Sequence, residues 1–249
     1  MAANLKSVLS ELSGFLLKLA RGGLAHYDDS SAQGGRASMG SIMKLNFADV
    51  ALELDKCRQP LDLQTIFSRP GPVEIEIGTG KGTFLLNQAK LFANVNFLGI
   101  EWANKFYQYA VDRMCRWGMT NVRLLRADAR DFLAQWLPAE SIRTYHVYFP
   151  DPWFKKRHLK RRFFTPDNLR QIIRTLVPGG SLRVATDYQD YFAVIRELLL
   201  ENPEIAPHFS PAEFYPAQTA SPGEWVGTNF ERKYLKEGRA IYTLAVKKR

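Results

Sequence analysis

The residues with the clearest chemical potential lie in one short segment. Asp151 stands between Pro150 and Pro152 and is followed two positions later by Trp153, and the proline rings restrict the backbone that carries its carboxylate. Directly afterwards comes a basic run with six positive charges in eight residues: Lys155, Lys156, Arg157, Lys160, Arg161 and Arg162. A fixed carboxylate beside a cationic surface predicts chemistry on a polyanion such as a nucleic acid. Taken alone, such a run is also typical of a solvated loop or a localisation signal.

Other carboxylates follow predicted strands. Glu101, Asp128, Asp151 and Asp187 each come just after an apolar strand pattern, and Glu76 lies one residue before the end of the first strand. Ligands of open parallel sheets bind outside the carboxyl ends of the strands, so we expect these acids to meet at one edge. Each of them, taken singly, could instead be an ordinary turn or N-cap residue.

A glycine-rich turn after the first strand indicates a nucleoside-like ligand. Residues 78–82 read GTGKG, which permits a tight turn and a close approach of the backbone to a ligand. The pattern departs from the dinucleotide fingerprint, and Lys81 is not followed by the Ser or Thr of a phosphate loop. Glu101 comes 23 residues after Gly78, where a carboxylate can accept hydrogen bonds from both ribose hydroxyls. With Asp128 placed to meet an adenine edge, the expected ligand is an adenosine without a pyrophosphate.

The elements that would position these groups alternate along the chain. Strand patterns are predicted at residues 73–77, 96–100, 122–125, 145–149 and 181–185, with helical patterns between them. This alternation predicts an α/β fold with a doubly wound, mostly parallel sheet. Residues 241–246 predict a final antiparallel strand, and the proline-rich stretch 203–223 predicts irregular chain.

The N-terminal part differs from the rest. Residues 4–20 have apolar side chains at helical spacing, which predicts an amphipathic helix, and residues 22–41 are rich in Gly and Ser, as flexible linkers are. We therefore predict an N-terminal extension over residues 1–60 and a catalytic domain over residues 61–249.

Composition narrows the functional class. The net charge of +9 favours an acidic partner. Cys57 and Cys115 form no CxxC pattern and the four histidines are scattered, so we predict neither a disulfide framework nor a metal site. The apolar runs are far too short to cross a membrane, and charges interrupt the N-terminal helix where a signal peptide would be apolar. We expect a cytoplasmic protein with no membrane partner.

Several segments, taken together and in order, resemble one enzyme family. They are EIGTGKG from Glu76, GIE ending at Glu101, FPDPW from Phe149, ATD ending at Asp187, and Thr228, Asn229, Phe230 and Glu231. From about residue 62 onwards, this arrangement is similar to that of the tRNA (guanine-N7)-methyltransferase family. The FPDPW segment with its basic tail is the specific part, since most methyltransferases that use S-adenosylmethionine share the glycine loop.

The resemblance implies a Rossmann-like class I methyltransferase that transfers a methyl group from S-adenosyl-L-methionine to N7 of a guanine in the variable loop of tRNA. It implies these cofactor contacts: Glu76, Gly78, Gly80, Glu101, Asp128 and Asp151. On the guanine side it implies Lys155, Asp187, Thr228, Asn229, Phe230 and Glu231. The rest of the basic run would hold the RNA phosphates. A monomer and a homodimer both remain possible.

Asp151 is the candidate catalytic residue. Guanine N7 carries a lone pair and no proton, so the reaction needs alignment more than a strong base. The product ring is cationic, and a nearby carboxylate would stabilise the developing charge and accept hydrogen bonds from the guanine edge. Trp153 would either stack on a base or pack in the core.

Three alternatives stay open. The protein could be a methyltransferase for another RNA or for a protein. It could be a non-catalytic RNA-binding subunit with the same fold, although the intact acids and glycine loop argue against this. A nicotinamide-dependent dehydrogenase is disfavoured by the GxGxG pattern.

Overall fold

The computed structural model describes residues 44–214 and 237–249. The predicted N-terminal helix, the predicted linker and the segment from Thr228 to Glu231 lie outside the described residues. In the described part of the chain, no helix is long and apolar enough to cross a membrane.

Helices and strands alternate as the sequence predicts. The helices are α1 (Phe47–Val50), α2 (Leu63–Phe67), α3 (Thr83–Leu91), α4 (Asn104–Arg116), α5 (Ala129–Gln135), α6 (Pro166–Thr175) and α7 (Gln189–Leu200). The strands are β1 (Ala51–Leu52), β2 (Val73–Ile77), β3 (Asn96–Ile100), β4 (Val122–Leu125), β5 (Ile142–Tyr148), β6 (Leu176–Thr186), β7 (Phe209–Ala212) and β8 (Tyr242–Lys248). Short 3₁₀ turns lie at Leu54–Lys56, Lys156–Arg161 and Ala206–His208.

The described strands form one sheet in the order β1-β4-β3-β2-β5-β6-β8-β7. Strands β1 to β6 pair in parallel, and β8 pairs antiparallel with both β6 and β7. The chain winds outwards from β2 in both directions, so the predicted doubly wound, mostly parallel sheet is confirmed. The carboxyl ends of β2 and β5 flank the switch point, where ligands of such sheets bind. Strand β1 precedes residue 61, and the domain boundary placed there stays a prediction.

Apolar helix faces cover both sides of the sheet. One cluster joins the sheet to α2, α5, α6 and α7, and the other joins it to α1, α3 and α4. Gly99 is needed for the second contact, because a β-carbon there would lie 2.4 Å from Leu85 Cδ1 and 2.5 Å from Leu124 Cδ2. This close approach holds α3, and hence the glycine loop before it, firmly against the centre of the sheet.

Two elements differ from their predictions. Strand β6 begins at Leu176, ahead of the strand predicted at residues 181–185, because a register shift in its pairing with β5 absorbs the Pro-Gly-Gly sequence between them. Residues 209–212 form an edge strand within a stretch predicted to be irregular. Pro211 is tolerated there because an edge strand leaves one side unpaired and proline has no N–H to donate. The predicted antiparallel final strand is confirmed as β8.

Candidate active site

The glycine loop turns sharply over the end of β3. The N–H groups of Gly78 and Thr79 both donate to the carbonyl of Ile100, at 2.8 Å and 3.2 Å, and Gly82 N–H donates to Thr79 O at 2.9 Å. These bonds close the turn between the carboxyl ends of β2 and β3. The loop thus lies at the edge of the sheet where the sequence predicts a ligand.

The three glycines of the loop have different roles. Gly78, Gly80 and Gly82 have φ values of +77°, +55° and +67°, in the region that favours glycine. A β-carbon at Gly78 or Gly80 would meet no atom of the described residues within 4 Å, whereas one at Gly82 would lie 2.9 Å from Met114 Cε. Gly78 and Gly80 therefore border open space that a ligand can approach, and Gly82 allows the loop to pack on α4.

Glu101 is anchored to this loop. Its Oε2 accepts a hydrogen bond of 2.8 Å from Gly80 N–H, and its Oε1 accepts one of 2.7 Å from Ala103 N–H. Its own N–H donates to Leu125 O at 3.0 Å, which ties the residue to the end of β4. Each carboxylate oxygen retains a second lone pair, so both can also accept from a ribose hydroxyl.

Glu76 is the most buried of the candidate acids that the structure describes. It is 3% exposed, and Thr79 Oγ1 donates to its Oε2 at 2.5 Å. Burial raises the pKa of Glu76, the hydrogen bond from Thr79 lowers it and the neighbouring charge of Glu101 raises it, and the net result is a pKa of about 8. A buried carboxyl with so high a pKa at a sheet edge is characteristic of functional sites.

These features fit S-adenosylmethionine, the cofactor that the family resemblance implies. Its sulfonium and ammonium groups are cationic, and within the described ranges neither Glu76 nor Glu101 is paired with a Lys or Arg. Glu101 therefore leaves negative potential for a cationic ligand, and Glu76, whose high pKa keeps it mostly protonated at pH 7, can ionise beside such a ligand. The open space beside Gly78 and Gly80 gives the ligand room to approach the backbone.

Asp151 is exposed in a loop fixed at both ends. Phe149 and Trp153 have φ values of +52° and +46°, a conformation that costs non-glycine residues about 1–3 kcal/mol each. Phe149 N–H donates to Ala185 O at 2.7 Å, and Arg162 Nε donates to Pro152 O at 2.8 Å. These hydrogen bonds thus restrain the strained backbone around Asp151 to one conformation between the ends of β5 and β6.

The basic run divides into exposed and half-buried members. The exposed ones are Lys155, Lys156, Arg157, Lys160 and Arg161. Arg162 is half-buried, and its guanidinium lies 4.5 Å from the centroid of the Tyr191 ring. Arg162 therefore stabilises the loop through its contact with Tyr191 and its hydrogen bond to Pro152, while the five exposed residues face solvent.

Trp153 packs within this loop. Its ring lies 5.7 Å from the ring of His158 and 5.1 Å from the guanidinium of Arg161. The ring is half-buried, so it is part of the packing that holds the basic turn beside Asp151.

The remaining described acids already have cationic partners. Asp128 caps α5 by accepting from Arg130 N–H at 2.9 Å, and the side-chain hydrogen bond from Arg130 lowers the pKa of its carboxyl. Asp187 accepts from Arg239 Nη1 at 3.0 Å. The N-cap interpretation that the sequence left open is thus observed for Asp128, at the same sheet edge as Glu101.

A partly buried polar chain below the site was not predicted from the sequence. Glu74 Oε2 lies 2.9 Å from His146 Nε2, and His146 Nδ1 lies 2.9 Å from the Tyr148 hydroxyl. Arg143 donates to Glu74 Oε1 at 2.7 Å. Burial favours the neutral form of Glu74, but His146 and Arg143 outweigh it and lower its pKa to about 2. The sequence did carry one signal for this chain of polar residues. Glu74 is a charged residue between apolar residues of a central parallel strand, where it needs a polar partner.

Comparison with known proteins places this geometry in a family. A family model described as a putative methyltransferase matches residues 70–244. The tRNA (guanine-N(7)-)-methyltransferase of Alkalilimnicola ehrlichii is 35% identical over 86% of this chain and 90% of its own length. The protein of the same name from Ruegeria pomeroyi is 38% identical over 77% of this chain and 78% of its own.

The chain belongs to the tRNA (guanine-N(7)-)-methyltransferase family. The resemblance inferred from the motifs is thereby confirmed. Solved structures of more distant proteins share the fold. The aminoglycoside resistance methyltransferase NpmB1 superimposes with a TM-score of 0.52 at 21% identity, covering 75% of this chain and 92% of that one. The antibiotic-resistance methyltransferase Kmr gives a TM-score of 0.50 at 21% identity, covering 75% and 91%.

Proposed function

We propose that this protein transfers a methyl group from S-adenosyl-L-methionine to N7 of a guanine in the variable loop of tRNA. The observation that carries the proposal is the junction of Glu101 with Gly80 across the ends of β3 and β2, beside β5, the strand that leads into Asp151. Family membership supports the same reaction. We place the reaction in the cytoplasm, where tRNA is the acidic partner that the basic run fits.

Several residues would bind and orient the methyl donor, which supplies an electrophilic methyl group on sulfur. Glu101 would hold the ribose, Gly78 and Gly80 would let the backbone approach, and Asp128 would border the adenine. Glu76 would place negative charge below the cationic end of the ligand. In this arrangement the chain contributes alignment rather than a strong base, because guanine N7 has no proton to remove.

Asp151 would act on the guanine. Its carboxylate lies in a loop whose backbone is restrained on both sides, so little entropy is lost in aligning it. It would accept hydrogen bonds from the guanine edge and stabilise the positive charge that develops on the ring. Lys155, Asp187 and the segment Thr228, Asn229, Phe230 and Glu231 would complete the guanine side. Lys156, Arg157, Lys160, Arg161 and Arg162 would serve the RNA phosphates, with Arg162 acting through the loop it supports.

The test is to incubate the protein with unmodified tRNA and isotope-labelled donor, and to map the product by nuclease digestion and mass spectrometry. We expect one 7-methylguanosine in the variable loop. Label in another nucleotide, or in 7-methylguanosine outside the variable loop, would refute the proposal. Donor and tRNA binding without any transfer would identify a non-catalytic subunit instead.

A further inference from the structure

An aromatic surface lies beside the candidate cofactor site and has no part in the reaction described above. Its rings belong to Trp102, Phe106 and Tyr109, which are 69%, 41% and 46% exposed. Lys81 of the glycine loop places its Nζ 5.6 Å from the centroid of the Tyr109 ring, and Lys105 is also exposed. These five residues together are called the aromatic surface below.

Packing of the core does not account for these rings. Helix α4 buries its opposite face through Tyr107, Ala110, Val111, Met114 and Cys115. Phe106 and Tyr109 are three positions apart and therefore share the outward face. Trp102 lies two residues before the start of α4, and the hydrogen bond between Glu101 and Ala103 restrains the turn that carries it. Exposed apolar patches mark interaction sites in soluble proteins.

The strand order gives this surface a definite place. The aromatic surface follows β3, the basic run follows β5, and β2 with its glycine loop lies between them. Neighbouring strands are about 4.8 Å apart, so the ends of β3 and β5 are separated by about 10 Å. The aromatic surface and the basic run therefore start close enough together for one bound polynucleotide to contact both.

We propose that the aromatic surface stacks unpaired bases of the RNA substrate close to the target guanine. Flat rings offer stacking partners to any base, and neighbouring lysines complement the charge of the phosphates. This combination is the one used to bind single-stranded nucleic acids without sequence preference. The proposal rests on the proposed RNA-directed function, since it supplies a second contact for the same substrate. It commits to RNA, and a lipid surface or a second copy of the chain becomes an outcome of the test.

The test uses the full-length protein with Phe106→Ala and Tyr109→Ala combined. Trp102 is retained because it adjoins Glu101, and its loss would disturb the donor site. The matched control is Trp117→Ala, which removes an exposed ring at the other end of α4, where Trp117 contacts Lys90. A second variant, Phe106→Tyr with Tyr109→Phe, exchanges the side chains and preserves both rings. Affinity for unmodified tRNA is measured without donor, donor affinity by calorimetry, and folding by thermal melting.

We expect the affinity of the double alanine variant for tRNA to be lower by on the order of tenfold or more, because alanine substitution of a ring that stacks on a base typically weakens binding this much. The Trp117 control and the ring-exchange variant should bind tRNA as the wild type does, and donor affinity should stay constant throughout. If the double variant does not fold, each single alanine substitution replaces it, with a smaller loss expected.

Unchanged tRNA affinity in the double alanine variant would overturn the proposal. So would a loss confined to self-association in sedimentation or to binding of anionic vesicles, since these identify another occupant. Failure of the proposed function is a separate result. If the wild type binds tRNA but methylates no guanine in it, while the double variant still loses binding, the function fails and the aromatic surface stands.

Discussion

Individual side chains in this site differ most in how their charge is compensated. Glu76 and Glu101 are buried and bonded to hydroxyl or backbone N–H donors, whereas Asp128 and Asp187 are paired with arginines. These two acids, which have no arginine partner among the described residues, lie next to the glycines that border open space. A cationic ligand would therefore be attracted to Glu101 and would favour ionisation of Glu76, and a neutral nucleoside would gain less. This difference could not be predicted from the sequence, because Arg130 and Arg239 reach their partners only through local turns and tertiary contacts.

The role of Asp151 is tested by Asp151→Asn and Asp151→Ala. Loss of the negative charge removes stabilisation of the cationic ring, and we expect the single-turnover rate to fall on the order of 10²–10³-fold. Asparagine preserves shape and some hydrogen bonding, so it should retain more activity than alanine. Donor and tRNA affinities serve as controls. A rate within a few-fold of the wild type for both variants would remove Asp151 from the chemistry.

The high pKa of Glu76 predicts proton release when the donor binds. With a pKa of about 8, the carboxyl is mostly protonated at pH 7, and a neighbouring cation favours its ionised form. Binding should therefore release a fraction of a proton, and affinity should rise as the pH increases towards 8. Calorimetry in two buffers of different ionisation enthalpy measures this release. The Glu76→Gln variant should lack the part of the proton release that comes from Glu76, whereas any release from the donor amine should be the same in both proteins. Equal proton release by the wild type and the variant would contradict the prediction.

The elements show which features a sequence pattern can reveal. Strands β2 to β6 are buried parallel strands, so their apolar runs and the acids that follow them were visible in the sequence. Strand β1 has two residues and therefore no periodicity, and β7 contains Pro211, which argues against a strand until its edge position is known. The positions of the strand ends that carry the acids could thus be predicted from the sequence pattern. The short edge strands could not, because they form only through pairing with distant residues.

The side chains of the basic turn after β5 belong to one short element, and we expect their contributions to tRNA affinity to add up over the individual charges. We predict that replacing Lys156, Arg157, Lys160 and Arg161 with alanine weakens tRNA binding and flattens its salt dependence. Each lost phosphate contact should reduce the slope of log affinity against log salt by about 0.7–0.9. Arg162 is retained because it supports the loop. The control replaces Arg116 and Arg196, exposed arginines outside this turn, and should leave the slope unchanged. An unaltered slope in the quadruple variant would show that the turn is merely solvated.

At the scale of the molecule, the partly buried chain of Glu74, His146 and Tyr148 connects the two ends of the central strands. Glu74 lies near the amino end of β2, and Tyr148 is the last residue of β5 before the loop that carries Asp151. Phe84, at the start of α3, packs on both His146 and Tyr148, with centroids 4.7 Å and 5.0 Å apart. The same network therefore joins the sheet, the helix after the glycine loop and the start of the Asp151 loop.

This network should make the stability of the whole domain sensitive to acid. The pKa of Glu74 is about 2 in the folded protein against 4.5 ordinarily, so ionised Glu74 stabilises the fold above pH 4.5. That stabilisation, about 3 kcal/mol from the pKa difference, is lost as the pH falls from 4.5 to 2. Denaturant unfolding of the wild type and Glu74→Gln across this range measures it. The gap between the two proteins should be full at pH 6 and should close towards pH 2.

The matched control for Glu74→Gln is Glu204→Gln, which removes another glutamate paired with an arginine, Arg170, but on the exposed surface. Water screens that pair, so its loss should change stability less and with a weaker dependence on pH. The comparison separates the effect of burial from that of pairing alone. A gap for Glu74→Gln that stays constant between pH 6 and pH 2 would mean that Glu74 is not held ionised by His146 and Arg143. In that case the network would be ordinary packing, and it would offer no acid-sensitive link between the sheet and the Asp151 loop.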